Sequence, residues 1–323
     1  MIKTRKKNLL RILILFFVLT SCSSVAVITA PSKKSTQTRT RHAELASQEF
    51  LSVFHEGKYD ELSHVMERLT AAYLQTPTDS VTAAHLGFAH IWYVAERERL
   101  ETVPATMTNH ATLARKYFEE ATRLNPSEDR YLGFLGASLL AEATIHQDEK
   151  QKRKGYFTLH ESIKRWPEFN LFTGGYVMSR LPFDSEHFIE ALEWQWRTLD
   201  ECAETKIDRK NPDFSPYLSL KTTQGRKRVC WNSWLAPHNF EGFFMNMGDM
   251  LVKAGDLETA RKIYTNAKLS ETYPQWKYKE ELERRIAEMN LNVPAFRAEP
   301  TRMNRDRRMM FNSKISCVAC HQN

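Results

Sequence analysis

Glycine is scarce in this chain, with 11 in 323 residues, and the familiar nucleotide-binding and hydrolase motifs are missing. The sequence contains no GxGxxG, GxxxxGK(S/T), HExxH or GxSxG pattern, so it lacks the phosphate-binding loops and nucleophile or metal motifs of those enzymes. It also lacks pairs of alternating apolar and polar runs joined by a hairpin turn, which argues against a β-sheet protein. With 42% hydrophobic and 26% charged residues, the chain can still bury one or two sizeable cores.

Positive charge is concentrated at the N-terminus and does not indicate nucleic-acid binding. The formal net charge is +7. Five basic residues precede an apolar run at the start of the chain, namely Lys3, Arg5, Lys6, Lys7 and Arg11. Without residues 1–21, which hold no acidic residue, the chain carries a formal +2. A nearly neutral body is a poor polyanion binder, so we predict no nucleic-acid partner.

Residues 1–21 have the order of an export signal. The basic residues are followed by an apolar stretch that is too short for a stable membrane span, and then by small residues. The sequence Leu-Thr-Ser-Cys that ends at Cys22 resembles the bacterial lipoprotein signal, which implies that Cys22 becomes the lipidated first residue of the mature chain. Ser23 and Ser24 follow without an Asp, and in that family this favours a lipid anchor in the outer membrane, facing the periplasm. An ordinary secretory signal or an uncleaved anchor is the alternative.

The C-terminus carries a C-x-x-C-H pattern formed by Cys317, Cys320 and His321. The pattern resembles the haem-attachment site of c-type cytochromes. Two thiols about one helical turn apart can meet both vinyl groups of one haem while the adjacent imidazole turns to the iron. The resemblance implies one covalent haem c, with thioether bonds at both cysteines and His321 as the proximal iron ligand. A redox disulfide, a metal clip and a chance occurrence are the alternatives.

The second axial ligand of such a haem is not defined by the motif. Only two residues follow His321, which excludes the small cytochrome c fold, in which a downstream Met supplies that ligand. On one continuous helix, Met310 would lie about 16 Å from His321 along the axis. A chain reversal near residues 311–313 would be needed to bring Met309 or Met310 to the haem face opposite His321. The alternatives are a histidine from elsewhere and an open, five-coordinate iron suited to gas or peroxide chemistry.

The cysteine count leaves one candidate disulfide. Of five cysteines, Cys22 is assigned to lipid and two to haem, so Cys202 and Cys230 remain. In an oxidising compartment these two are predicted to pair and to close a polar segment between helices. Two separate buried thiols are the alternative.

Apolar residues recur with helical spacing over residues 43–290, which predicts an all-α body. The clearest pair of stripes consists of Phe244, Met247, Gly248 and Leu251, followed by Ala260, Tyr264 and Ala267. Small residues let two helices approach closely while an aromatic residue or Leu fills the remaining gap. The stripes resemble the tetratricopeptide repeat (TPR), which implies an irregular α-solenoid of about four to five helical hairpins with a C-terminal haem-bearing tail. Extra residues that include Glu101–His110 interrupt the pattern, and residues 169–240 match it poorly.

The predicted organisation has four parts. They are a lipoprotein signal peptide (1–21), a flexible tether (22–42), a TPR-like repeat domain (43–290) and a basic tail with the haem site (291–323). The basic residues of the tail are interpreted either as a solvated linker or as partners of haem propionates or of an acidic redox protein.

The functional hypothesis is an exported, membrane-anchored lipoprotein with one haem c, which transfers electrons to or from redox proteins docking on the solenoid. A haemless TPR scaffold for protein–protein interaction in the cell envelope is the alternative. No catalytic residue is assigned, because a haem peroxidase would need a distal acid or base that we cannot name from the sequence.

Overall fold

The computed structural model describes residues 24–222, 224–230, 240–299 and 305–322. The chain divides into two units, Met1–Ser35 and Thr36–Asn323. In the first unit, residues 24–28 form a short helix, after which the Thr29 hydroxyl donates to the Val25 carbonyl (2.8 Å). Cys22 and the export signal lie outside the described residues. None of the helices described is both long and apolar enough to cross a membrane.

The second unit is all-helical over its described residues. Its helices are α1 (Arg41–His55), α2 (Leu62–Gln75), α3 (Ser80–Ala95), α4 (Met107–Leu124), α5 (Asp129–His146), α6 (Glu149–Arg165), α7 (Pro167–Met178), α8 (Glu186–Ala203), α9 (Phe240–Ala254), α10 (Leu257–Asn266), α11 (Lys279–Ala287), α12 (Met289–Arg297) and α13 (Val318–His321). Consecutive helices pack against each other from α1 to α8, and α9 packs against α10. The predicted all-α class is confirmed, and the adjacent pairs are compatible with an α-solenoid of helical hairpins.

Short polar residues define where several helices begin. Thr40, Asp79, Asp148, Ser185 and Asp256 stand just before α1, α3, α6, α8 and α10, and each side chain accepts a hydrogen bond from a backbone amide in the first turn. Such a bond satisfies a donor that a helix start leaves without an intrahelical partner. These helix starts are therefore marked in the local sequence.

Two glycines lie where one helix rests against another. A Cβ atom on Gly136 of α5 would lie 2.8 Å from the backbone nitrogen of Leu159 in α6, and one on Gly248 of α9 would overlap the Tyr264 ring of α10. Any larger residue would force the helices apart. Phe244, Leu251 and the facing residues of α10 are buried as well, so the hairpin predicted from residues 244–267 is present.

The helical body extends beyond residues 43–290 at both ends. Arg39 donates to the Asp79 carboxylate (2.9 Å) and to the Ser47 hydroxyl (2.6 Å), so the residues from Thr36 onward belong to the second unit, whereas the tether was predicted to reach residue 42. Residues 305–322 belong to the same compact unit. The tail is thus part of the folded body, because its polar groups find partners there.

The predicted disulfide is confirmed. Cys202, in the last turn of α8, is joined to Cys230 with an S–S distance of 2.04 Å and a Cα–Cα distance of 5.5 Å. It closes residues 204–229, which lack an α-helix where the structure describes them and instead form two short 3₁₀ segments, Ser215–Leu220 and Arg226–Val229. This is the region that the repeat pattern matched poorly.

Candidate functional site

The end of the chain lies between helices that are far apart in sequence. The last helix, α13, contacts both α1 and α9. Its Val318 side chain is buried in the apolar cluster of α1–α3, while Ala319 and Cys320 are buried in the larger cluster of the later helices. The CxxCH segment therefore joins two of the three apolar clusters formed by the described residues.

A buried carboxylate fixes the start of α13. One oxygen of Glu96, just after α3, accepts hydrogen bonds from the backbone amides of Cys317 (2.8 Å) and Val318 (2.9 Å). Its other oxygen accepts from Trp92 Nε1 (3.0 Å) and Arg99 Nε (2.7 Å). Burial raises the pKa of the Glu96 carboxyl, while the Arg99 charge and the amide hydrogen bonds oppose that shift. A carboxylate at a helix N-terminus meets both the free amides and the positive end of the helix dipole.

The C-terminal groups of α13 also find partners on the solenoid. Trp276 Nε1 donates to the Ala319 carbonyl (3.1 Å), and the Nδ1 atom of His55 lies 2.6 Å from the His321 carbonyl oxygen. Because a carbonyl can only accept, His55 must carry its proton on Nδ1. The Gln322 side chain donates to the Glu56 carbonyl (2.8 Å). These bonds fix the backbone on either side of the His321 imidazole.

A second buried carboxylate holds the segment before the motif. Asp249 of α9 accepts from the Tyr264 hydroxyl (2.6 Å) and from the Met310 amide (2.6 Å), and it pairs with Arg285. Arg285 Nη2 in turn donates to the Arg308 carbonyl (3.0 Å). Residues 308–310 are therefore tied to α9 and α11 by a buried network.

Three basic residues of the tail have partners within the fold, while Lys314 is exposed. Arg307 contacts Glu288 at 2.7 Å and the buried Arg308 contacts Glu98 at 3.0 Å. Arg297 donates to the Lys253 carbonyl at the end of α9 (2.8 Å). The interpretation of the tail as a solvated linker is wrong for these three residues, because each has partners on the solenoid.

Cys317, Cys320 and His321 line a cavity of about 650 Å³. This volume falls within the usual range of ligand sites, roughly 300–1,000 Å³. The other walls are α3, α4, α5 and α7, and the lining is mainly apolar. Lining residues include Phe54, Phe88, Trp92, Phe134, Phe172 and Val177. Residues 103–105, from the insertion that interrupted the repeat pattern, contribute to the wall.

The two thiols of the motif are free. Cys317 and Cys320 form no disulfide, and burial raises the pKa of both thiols above the usual value. Both are therefore protonated at neutral pH. The Phe54 ring packs against the His321 ring with their centroids 4.5 Å apart, so the imidazole has an aromatic support on the cavity wall.

The predicted distal candidates share a buried apolar cluster with Ala319 and Cys320 but do not line the cavity. Met309 and Met310 are buried in the core and are not among the residues that line the cavity. The hydrogen bond between the Met310 amide and Asp249 holds that segment elsewhere. The cavity is instead lined by Met107, at the start of α4, and His321 is the only histidine in its described lining.

Sequence reasoning missed the residues that surround the motif. Glu96 lies more than two hundred positions before Cys317, so no local pattern links them. The insertion after α3 was the one feature of the sequence that could have indicated the cavity. It supplies residues 103–105 and Met107 to the cavity wall.

Comparison with known proteins adds no family assignment. No family model matches the chain, and neither the curated proteins nor the solved structures gave a match.

Proposed function

We propose that the protein is a c-type haem protein of the cell envelope that transfers electrons. In this proposal Cys317 and Cys320 bind one haem through thioether bonds, and His321 is the proximal iron ligand. One observation carries the proposal: all three residues of the motif lie on the wall of a single, mainly apolar cavity of about 650 Å³. If the two cysteines served as a disulfide, or if the motif had arisen by chance, there would be no reason to expect a large apolar cavity beside it.

The residues around the cavity fit the requirements of a covalent porphyrin. Both thiols are free, as thioether formation requires. The apolar side chains exclude water from the faces of a ring, and the Phe54 ring supports the imidazole of His321. When bound, a haem supplies a one-electron iron couple whose potential depends on its ligands and on burial. Glu96 and Trp276 hold the backbone of α13, so the ligand geometry does not depend on a mobile chain end.

We propose that Met107 would supply a second iron ligand to a haem held in this cavity. Methionine is a known axial ligand in c-type cytochromes, and Met107 is the one methionine among the described residues of the cavity wall. The Tyr176 hydroxyl also reaches this region, but it donates to the Ser316 carbonyl. This assignment replaces Met309 and Met310, which face the core.

The cellular setting proposed from the sequence is a lipid anchor at Cys22 in the outer membrane, on the periplasmic side. There the haem would exchange electrons with redox proteins that dock on the solenoid, whose hairpins resemble TPR units. No catalytic residue is assigned.

The proposal is tested by making the full-length protein in a host with cytochrome c maturation. We expect a c-type pyridine haemochrome spectrum and an intact mass that includes one haem after acid–acetone extraction. Cys317→Ala combined with Cys320→Ala removes the attached haem, since both thioether sulfurs are lost. The matched control is Cys202→Ser combined with Cys230→Ser, which removes the other cysteine pair and leaves the haem attached.

A colourless wild-type protein would overturn the proposal and leave the haemless scaffold as the better hypothesis. A c-type spectrum that survives loss of Cys317 and Cys320 would also overturn it.

A further inference from the structure

Two arginines from separate helical hairpins line the same cavity as the CxxCH motif. Arg97 lies in the turn after α3, and Arg180 lies two residues after the end of α7. Burial and, to a lesser degree, the charge of Arg97 lower the pKa of Arg180. The fold therefore brings two like charges together at an apolar cavity.

Neither arginine forms an ion pair with a carboxylate in the part of the chain that is described. Arg97 Nη1 donates to the Val94 carbonyl (3.0 Å), and Arg180 donates to the Leu140 carbonyl (3.3 Å) and the Thr144 hydroxyl. The described cavity lining contains no Asp or Glu. Charges in apolar surroundings are costly unless they are paired.

The nearby acidic residues are committed to other partners. Glu96 binds Arg99 and the amides of α13, while Glu98 pairs with Arg308. The two cavity arginines thus have no acidic partner among the described residues, and because both are only partly buried, an anion in the cavity could reach them. Guanidinium groups bind carboxylates in a planar, two-bond geometry.

We propose that Arg97 and Arg180 bind the two propionate carboxylates of the haem and so set its orientation in the cavity. This inference rests on the function proposed above. A porphyrin dicarboxylate combines an apolar ring for the aromatic walls with two anionic groups for the two guanidinium groups. The basic tail, which the sequence offered for this role, has Arg307 and Arg308 paired with acidic residues instead.

The main test compares reduction potentials of the full-length haem protein. Replacing Arg97 or Arg180 by Gln removes a positive charge beside the haem and favours the oxidised iron. We expect each change to shift the redox equilibrium constant about tenfold, which is 59 mV for a one-electron couple. The potential should also become pH-dependent between about pH 5 and 8, because a propionate without its cation binds a proton in that range. Arg97→Lys and Arg180→Lys keep the charge and should restore most of the wild-type potential.

Arg123→Gln is the matched control. Arg123 lies on the exposed surface of α4, paired with Glu120, so its loss should leave the potential unchanged. Haem content, measured separately by pyridine haemochrome, reports the proposed function. If all variants carry haem and the Gln variants keep the wild-type potential and pH profile, the proposal that Arg97 and Arg180 bind the propionates is wrong. The haem proposal itself then stands.

A second measurement does not depend on covalent attachment. In the Cys317→Ala, Cys320→Ala background, we expect protoporphyrin IX to bind at least tenfold more tightly than its dimethyl ester, which has no carboxylates. The preference should vanish when Arg97 and Arg180 are both Gln. Equal binding of the acid and the ester to the protein with both arginines would overturn the inference.

Discussion

The two sides of residues 305–322 differ in how completely their polar groups are paired. On the side that packs on the solenoid, the amides at 310, 317 and 318 and the carbonyls at 308, 319 and 321 have side-chain partners elsewhere in the second unit. On the side that faces the cavity, two thiols are free and two nearby arginines have no carboxylate partner among the described residues. Complete pairing is what a structural contact requires. Incomplete pairing beside a cavity indicates a binding site.

This comparison predicts that substitutions on the packed side mainly reduce stability, while substitutions on the cavity side mainly change the spectrum and potential of the proposed haem. The three tests that follow start from the largest expected loss of stability.

Asp249→Ala should have the largest effect. It leaves the buried Arg285 with only Glu281 as an acidic partner and removes the acceptor of the Met310 amide. Breaking a buried ion pair by removing one partner costs about 3–5 kcal/mol, and the remaining Glu281 contact places the expected loss near 3 kcal/mol. Denaturant unfolding measures it.

The matched control for Asp249 removes both charges. Asp249→Leu combined with Arg285→Met should lose less stability than Asp249→Ala, because no buried charge is left without its partner. A double variant that is less stable than Asp249→Ala would contradict this explanation. It would show that the attraction within the ion pair, and not the cost of an isolated charge, accounts for most of the lost stability.

Glu96→Gln should cost about 2 kcal/mol, since a neutral amide oxygen cannot accept all four hydrogen bonds and its NH₂ group meets donors. Faster hydrogen exchange at the Cys317 and Val318 amides would identify the loosened start of α13. The matched control is Glu258→Gln, whose carboxylate is exposed on α10 beside Lys262 and whose loss should cost under about 1 kcal/mol. Equal losses in the two variants would contradict the assigned role of Glu96.

Met107→Leu should have the smallest effect on stability, under about 1.5 kcal/mol, because the two side chains have similar volumes. On the cavity side it should remove the methionine signature from the ferric spectrum and let the ferrous haem bind carbon monoxide. Met310→Leu is the control and should leave the spectrum unchanged. If the wild-type protein binds carbon monoxide as readily as the Met107 variant, the iron has an open site and Met107 is not its ligand.

Several parts of the fold could be predicted because they depend on neighbouring residues. The stripes around Gly248 and Tyr264 repeat with helical spacing, and the turn at Gly255 is followed by a capping Asp256. The pairing of Cys202 with Cys230 followed from counting cysteines with assigned roles. The positions of Met309 and Met310 could not be predicted in this way, because a buried carboxylate on α9 fixes them.

The sequence alone determined the helical class, the register of the clearest hairpin and the spacing of the CxxCH motif, since periodicity and motif spacing are properties of adjacent positions. Only the tertiary structure decided that α13 packs between two apolar clusters and that Glu96 holds its first amides. It alone also brought Arg97 and Arg180 to one cavity. These contacts join positions tens to hundreds of residues apart, and their energies depend on burial, which arises when the helices stack and exclude water.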